Sequence, residues 1–90
     1  MKLTPTDIKV ALASLNGWAF ENNAIHKQYV KRDFVIAMGF ANSVALLAER
    51  AGHHPDMLVR WNRVDLTLST HDAGGVTDKD IALATEIEAL

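Results

Sequence analysis

The chain has four histidines and no cysteine, so proton exchange by side chains near neutral pH falls to imidazole. Two of the four are adjacent, in Glu49-Arg50-Ala51-Gly52-His53-His54-Pro55, and a third, His71, follows in a Gly-rich loop. Glu49 and His53 are four residues apart, which brings two side chains onto one face of a helix. A carboxylate and the negative end of a helix both attract an imidazolium, so His53 is placed to exchange a proton near neutral pH. His54 leaves the same segment in another direction, and Pro55 restricts the backbone there. Asp80 is expected in the first turn of the last helix, where it could accept a bond from His71 and fix that ring's tautomer.

Simpler uses of the same residues stay open on spacing alone. A histidine at a helix end can be a cap, and Asp80 can be the acid of a capping box with Thr77. A metal site is weaker, because adjacent histidines are not the i, i+4 pair that one helix face offers to zinc and no cysteine assists. Nucleophilic catalysis is weaker still, since there is no cysteine and no serine in a nucleophile elbow.

The elements that must hold these groups can be read in order. Thr4, Pro5 and Asp7 are a helix start, and Ile8, Ala11, Leu12 and Leu15 give its apolar stripe up to Asn16-Gly17. Trp18 to Phe20 and Ile25 to Val30, separated by Glu21-Asn22-Asn23-Ala24, read as a β-hairpin, with His26 turned to solvent and without a catalytic role. Asp33 caps a helix predicted from Phe34 to about Ala51, with Phe40, Val44, Leu47 and Ala51 at helical spacing and Ile36, Ala37, Ala41 and Ala48 widening the stripe. Gly52 and Pro55 end it. So broad a face suggests a helix buried on a sheet and shared in a subunit contact. Met57 to Trp61 and Val64 to Ser69 are strand-like runs hinged at Asn62-Arg63; Thr70 to Gly75 is a loop. Thr77 then caps a last helix carrying Ile81, Ala84 and Ile87, or Leu83, Ile87 and Leu90. The order helix-strand-strand-helix-strand-strand-helix predicts an α+β fold, a four-stranded antiparallel sheet with helices packed on one face.

Composition narrows the function. Ninety residues fit a single domain, 1–90, whose small core favours self-association. A net charge of −2 and a pI near 6.0 argue against a nucleic-acid surface, and the run Lys27 to Arg32 is read as a solvated face. The lack of cysteine suits a reducing cytoplasm. No apolar h-region follows the N-terminus, and the apolar runs look too short and interrupted to cross a bilayer.

The run Glu49-x3-His53-His54-Pro55-x5-Trp61-x9-His71-x8-Asp80 resembles the signature of the pterin-4a-carbinolamine dehydratases, and the likeness extends through Thr67 to Thr77 and back to Phe34, Phe40 and Ala48. Some relatives carry a tryptophan two residues after the proline, where this chain has Met57. The resemblance implies dehydration of 4a-hydroxytetrahydropterin to quinonoid dihydropterin, in support of aromatic amino acid hydroxylases. It implies a catalytic set of His53, His54 and His71, with the acid and base roles shared by His53 and His71 and substrate binding by His54, and Glu49 and Asp80 as supports for the imidazoles. Trp61 could wall the pterin pocket, although an aromatic in a strand is more often core. The resemblance also implies no metal, no cofactor beyond the pterin substrate itself, and a dimer or tetramer. A non-catalytic binding or assembly module on the same fold is the alternative, and the intact histidine set favours the enzyme.

Overall fold

The computed structural model describes residues 1–90. Thr4 caps α1 (Pro5–Leu12) with a complete capping box to Asp7, as the start signal predicts, and the helix ends at Leu12 in a short run of turns before Gly17. β1 (Ala19–Glu21) and β2 (Ala24–Val30) form a hairpin whose two turn residues, Asn22 and Asn23, have φ of 53° and 60°. A two-residue turn of this kind needs positive φ at both centres, and asparagine tolerates it. α2 spans Phe34–Ala51 behind an Asp33 cap. β3 (Asp56–Arg60) and β4 (Arg63–Leu68) are the second hairpin, one residue earlier than the sequence suggests. α3 runs Asp78–Glu88 behind a second complete capping box, Thr77 to Asp80.

The sheet order is β1-β2-β4-β3, antiparallel throughout. Pairing of β2 with β4 aligns Ile25 with Leu68 and Tyr29 with Val64, so the inward rows of both hairpins form one apolar surface. α2 lays Ala37, Ala41, Val44 and Ala48 on it, and α3 adds Leu83, Ala84 and Ile87. The three helices thus cover one face, and the other carries the outward residues of the strands.

Two expectations need correction. The Lys27 to Arg32 run is not uniformly solvated, because strand alternation turns every second residue inward. Lys27 is mostly buried and donates to Glu88 at 2.7 Å, and Lys31 lies over the Phe40 ring at 4.1 Å. α2 is also long and apolar enough, by length and composition, to cross a membrane. Its Ala37-Ala41-Val44-Ala48 stripe is packed in the core, while Val35, Ile36, Met38 and Leu46 remain exposed.

The C-terminal end of α3 is fastened by Glu88. Its Oε2 accepts from Lys27 Nζ at 2.7 Å, from Trp18 Nε1 at 3.3 Å and from the Tyr29 hydroxyl. Burial pushes the Glu88 carboxyl up, but the bonds from Lys27, Tyr29 and Trp18 and the Lys27 charge outweigh it and hold it below the ordinary value of 4.5. Burial, then the bond to Glu88 and its charge, push the Tyr29 hydroxyl well above its ordinary value of 10.0.

Candidate active site

The first wall of the site is made by the way α2 ends. Gly52 takes the left-handed conformation at φ +64°, its N–H bonding the Glu49 carbonyl, and the His53 N–H bonds the Ala48 carbonyl at 3.1 Å. This is the Schellman arrangement, which folds the chain back across the helix end. His53 therefore lies past the helix, beyond the reach of the i, i+4 rule. Its ring turns inward to α3, where Nε2 stands 2.5 Å from Asp80 Oδ1. Glu49 instead meets the next histidine, His54 Nε2, at 2.8 Å on the surface. The partners are thus exchanged relative to the spacing argument: Asp80 pairs with His53 rather than His71, and Glu49 with His54 rather than His53.

The second wall is the segment after β4. Alternation along Val64, Leu66 and Leu68 puts Thr70 next in the inward row, and Thr70 and Gly75 exchange backbone bonds of 2.8 and 3.3 Å. That clamp gathers His71–Ala73 into one 3-10 turn, closed by Gly74 at φ +75°. His71 comes from this turn and faces the same cleft as His53 and His54.

Asp80 sits behind both walls. It is fully buried in the first turn of α3, where the positive helix end favours a carboxylate. Its Oδ2 takes bonds of 2.9 Å from the Thr77 N–H and from the Thr70 hydroxyl. The His53 side chain is only 12% exposed, against 64% for His54 and 81% for Glu49, so the two ion pairs differ in kind. The inner pair is shielded from water and geometrically fixed, and the outer one is screened.

The cleft between the walls is about 290 Å³ and has no hydrophobic lining; Ser69, Asp72 and Lys79 join the histidines and Thr70 around it. Spacing did not single out these four residues. Thr70 had a legible signal, a hydroxyl continuing an apolar inward row. A larger apolar groove, about 760 Å³, lies between α1 and β1, but Lys9 is its one charged lining residue and it offers no set of converging polar groups. Chemistry is better supported by the smaller cleft, where several imidazoles meet one polar space.

One sequence-predicted site residue falls elsewhere. Trp61 occupies the β3–β4 turn and is not among the residues that line the cleft. Five strand residues separate it from Pro55, roughly 20 Å at the usual rise. The aromatic stands on the wrong end of β3 to wall the histidine cleft of its own chain. His26 lies on the uncovered face of the sheet, half-buried, with Nδ1 3.0 Å from Thr67 Oγ1 and Nε2 2.9 Å from the Glu21 carbonyl. No three His, Asp or Glu side chains are grouped to hold a metal ion.

Comparison with known proteins gives one result throughout. The family model for pterin 4 alpha carbinolamine dehydratase matches residues 1–90. Relatives provisionally named pterin-4-alpha-carbinolamine dehydratase include one from Acidobacterium capsulatum, 52% identical over 99% of this chain and 97% of its own length. Another, from Roseiflexus sp. strain RS-1, is 46% identical over 99% of this chain and 96% of its own length. A crystal structure from Brucella melitensis, described as a transcriptional coactivator/pterin dehydratase, superposes with a TM-score of 0.95 at 40% identity, covering 99% of this chain and 97% of that one.

Proposed function

The chain belongs to the pterin 4 alpha carbinolamine dehydratase family, and from that premise we propose that it dehydrates 4a-hydroxytetrahydropterin to quinonoid dihydropterin. The observation that carries the reading is the cleft itself: three histidines open on one polar space, and a buried carboxylate holds one of them. The reaction needs one proton removed and one delivered. A base takes the N5 proton, the N5 electron pair forms the N5=C4a bond, and the C4a hydroxyl gains a proton and leaves as water. Imidazoles suit both transfers near neutral pH.

In this reading His53 and His71, from facing walls, share the two proton transfers. His54 binds and orients the flat, polar-edged pterin. Asp80 supports His53 and Glu49 supports His54, the pairings seen in the geometry. The pterin is the substrate, and the product would re-enter the tetrahydropterin cycle of an aromatic amino acid hydroxylase. The exposed Val35, Met38 and Leu46 on α2 support a homo-oligomer formed through that helix, since they leave a small domain with apolar surface to cover. The same surface favours a second reading, a binding module, in line with the coactivator description of the Brucella melitensis protein.

Adding the protein to freshly generated 4a-hydroxytetrahydropterin and following the absorbance of dehydration tests the enzymatic reading. Turnover should exceed the spontaneous rate and be abolished by His53→Ala and His71→Ala together. A wild-type protein that leaves the spontaneous rate unchanged would refute it in favour of the binding module.

A further inference from the structure

The hydroxyls behind the cleft have one consistent arrangement of protons. The Asp80 carboxylate can only accept, so the Thr70 hydroxyl gives its single proton to Oδ2 at 2.9 Å. Thr70 then has no proton left for Thr77 Oγ1, 2.7 Å away, and must accept from it. Thr77 Oγ1 is free to donate because it accepts in turn from the Lys79 N–H at 3.2 Å. The Thr77 N–H also occupies Oδ2, at 2.9 Å, and Oδ1 is left to His53 Nε2. The donors therefore converge on Asp80, Thr77 through Thr70 from one side and His53 from the other, and neutral His53 carries its proton on Nε2. Its Nδ1 has no protein partner, yet the one buried side-chain polar atom lacking a partner is Asn62 Oδ1. Nδ1 is thus accessible, and His53 is one of the residues that line the cleft.

We propose that Thr70 is a positioning residue, acting through Asp80 to hold His53 in the tautomer that presents a bare Nδ1 to the cleft. Its backbone clamp to Gly75 fixes where the hydroxyl sits, and Thr77 fixes where its proton points. Without the hydroxyl, Oδ2 loses one of its two donors, and the carboxylate is free to rotate and to share itself differently between Thr77 and His53. The proposal rests on the dehydratase reading only for its kinetic consequence.

The test is Thr70→Val, which keeps the branched shape and both backbone bonds, beside Thr70→Ser, which keeps the hydroxyl. Imidazole nitrogen shifts of the labelled protein, at a pH where the rings are neutral, should show Nε2 protonated and Nδ1 bare in wild type and Thr70→Ser, and a mixture of tautomers in Thr70→Val. Turnover number should fall about tenfold or more in Thr70→Val with little change in KM, as for a lost bond to a charged group, and recover in Thr70→Ser. Thr70→Ala serves in the same way if valine prevents folding. A wild-type tautomer pattern in the folded variant overturns the proposal. An inactive wild type would instead refute the dehydratase reading and leave the tautomer measurement to decide this one.

Discussion

His53 Nε2 and Asp80 Oδ1 are 2.5 Å apart across a contact that joins the end of one helix to the start of another, with 26 residues of chain between them. Each partner is held from behind, His53 by the Schellman turn at Gly52 and Asp80 by Thr70 and Thr77. The contact therefore fixes both the spacing of α2 from α3 and the orientation of an imidazole at the cleft.

The two carboxylate–histidine pairs should respond to mutation very differently. Asp80→Asn keeps the size of the side chain but reverses what His53 meets. The amide oxygen is best used to accept from Thr70 and Thr77, which turns the NH2 group toward Nε2 and forces the proton to Nδ1. Turnover should fall by about 10²–10⁴-fold, the scale on which a wrong imidazole tautomer costs a histidine base. Glu49→Gln, in a solvent-screened pair, should stay within about threefold of wild type, as expected for an exposed pair worth 1 kcal/mol or less. Steady-state kinetics of the two variants decide it; equal losses would return Glu49 to the role that helical spacing gives it.

Stability should depend on pH through Glu88 and Tyr29. The folded-state value of Glu88 is depressed, so its contribution is complete above 4.5 and is lost as pH falls through the lower folded value. Tyr29 is raised, so its contribution is complete below 10.0 and is lost as pH rises beyond it. Glu88→Gln should flatten both limbs of a plot of Tm against pH. At neutral pH it should lower stability by about 1–2 kcal/mol through weakened bonds from Lys27, Tyr29 and Trp18, which for a domain of this size is roughly 4–16 °C in Tm. Unchanged limbs would show that the cluster does not couple to folding.

How much of this was legible follows from the range of each rule. Capping boxes at Thr4 and Thr77, the Asp33 cap and the Gly52 stop are local, and the observed helices begin or end on those residues. The alternation in Val64-Asp65-Leu66-Thr67-Leu68 is local too, and it matches the buried row. The pairings of Glu49 and Asp80 are not local. They depend on which way the chain leaves a left-handed glycine and on where a remote helix start docks. Glu88 was invisible for the same reason, since its partners Trp18, Lys27 and Tyr29 lie at least 59 residues away.

The exposed stripe of α2 predicts an assembly. Val35 and Leu46 are eleven residues apart, three helical turns, and so share one face; they are 76% and 74% exposed. Val35→Glu with Leu46→Glu should leave the core row Ala37-Ala41-Val44-Ala48 untouched. Light scattering should give a multiple of 9.9 kDa for wild type and the single-chain mass for the double variant, with unchanged circular dichroism. A wild type already at the single-chain mass would count against assembly through this helix.

Trp61 offers the clearest separation between the aromatic expected from the sequence and the aromatic found. It holds φ at +50° in the β3–β4 turn and is 69% exposed, a combination that gives little packing in return for a backbone region where bulky residues are strained. Glycine adopts that φ without a Cβ contact. Trp61→Gly should therefore raise stability by about 1 kcal/mol, the low end of the strain held by such residues. Because the turn lies at the end of β3 remote from the histidines, kcat and KM should both stay within about twofold. Urea denaturation and the dehydration assay on the same preparation check the two halves. A large rise in KM would mean that the ring reaches a cleft other than that of its own chain, and with it that the working unit contains more than one copy.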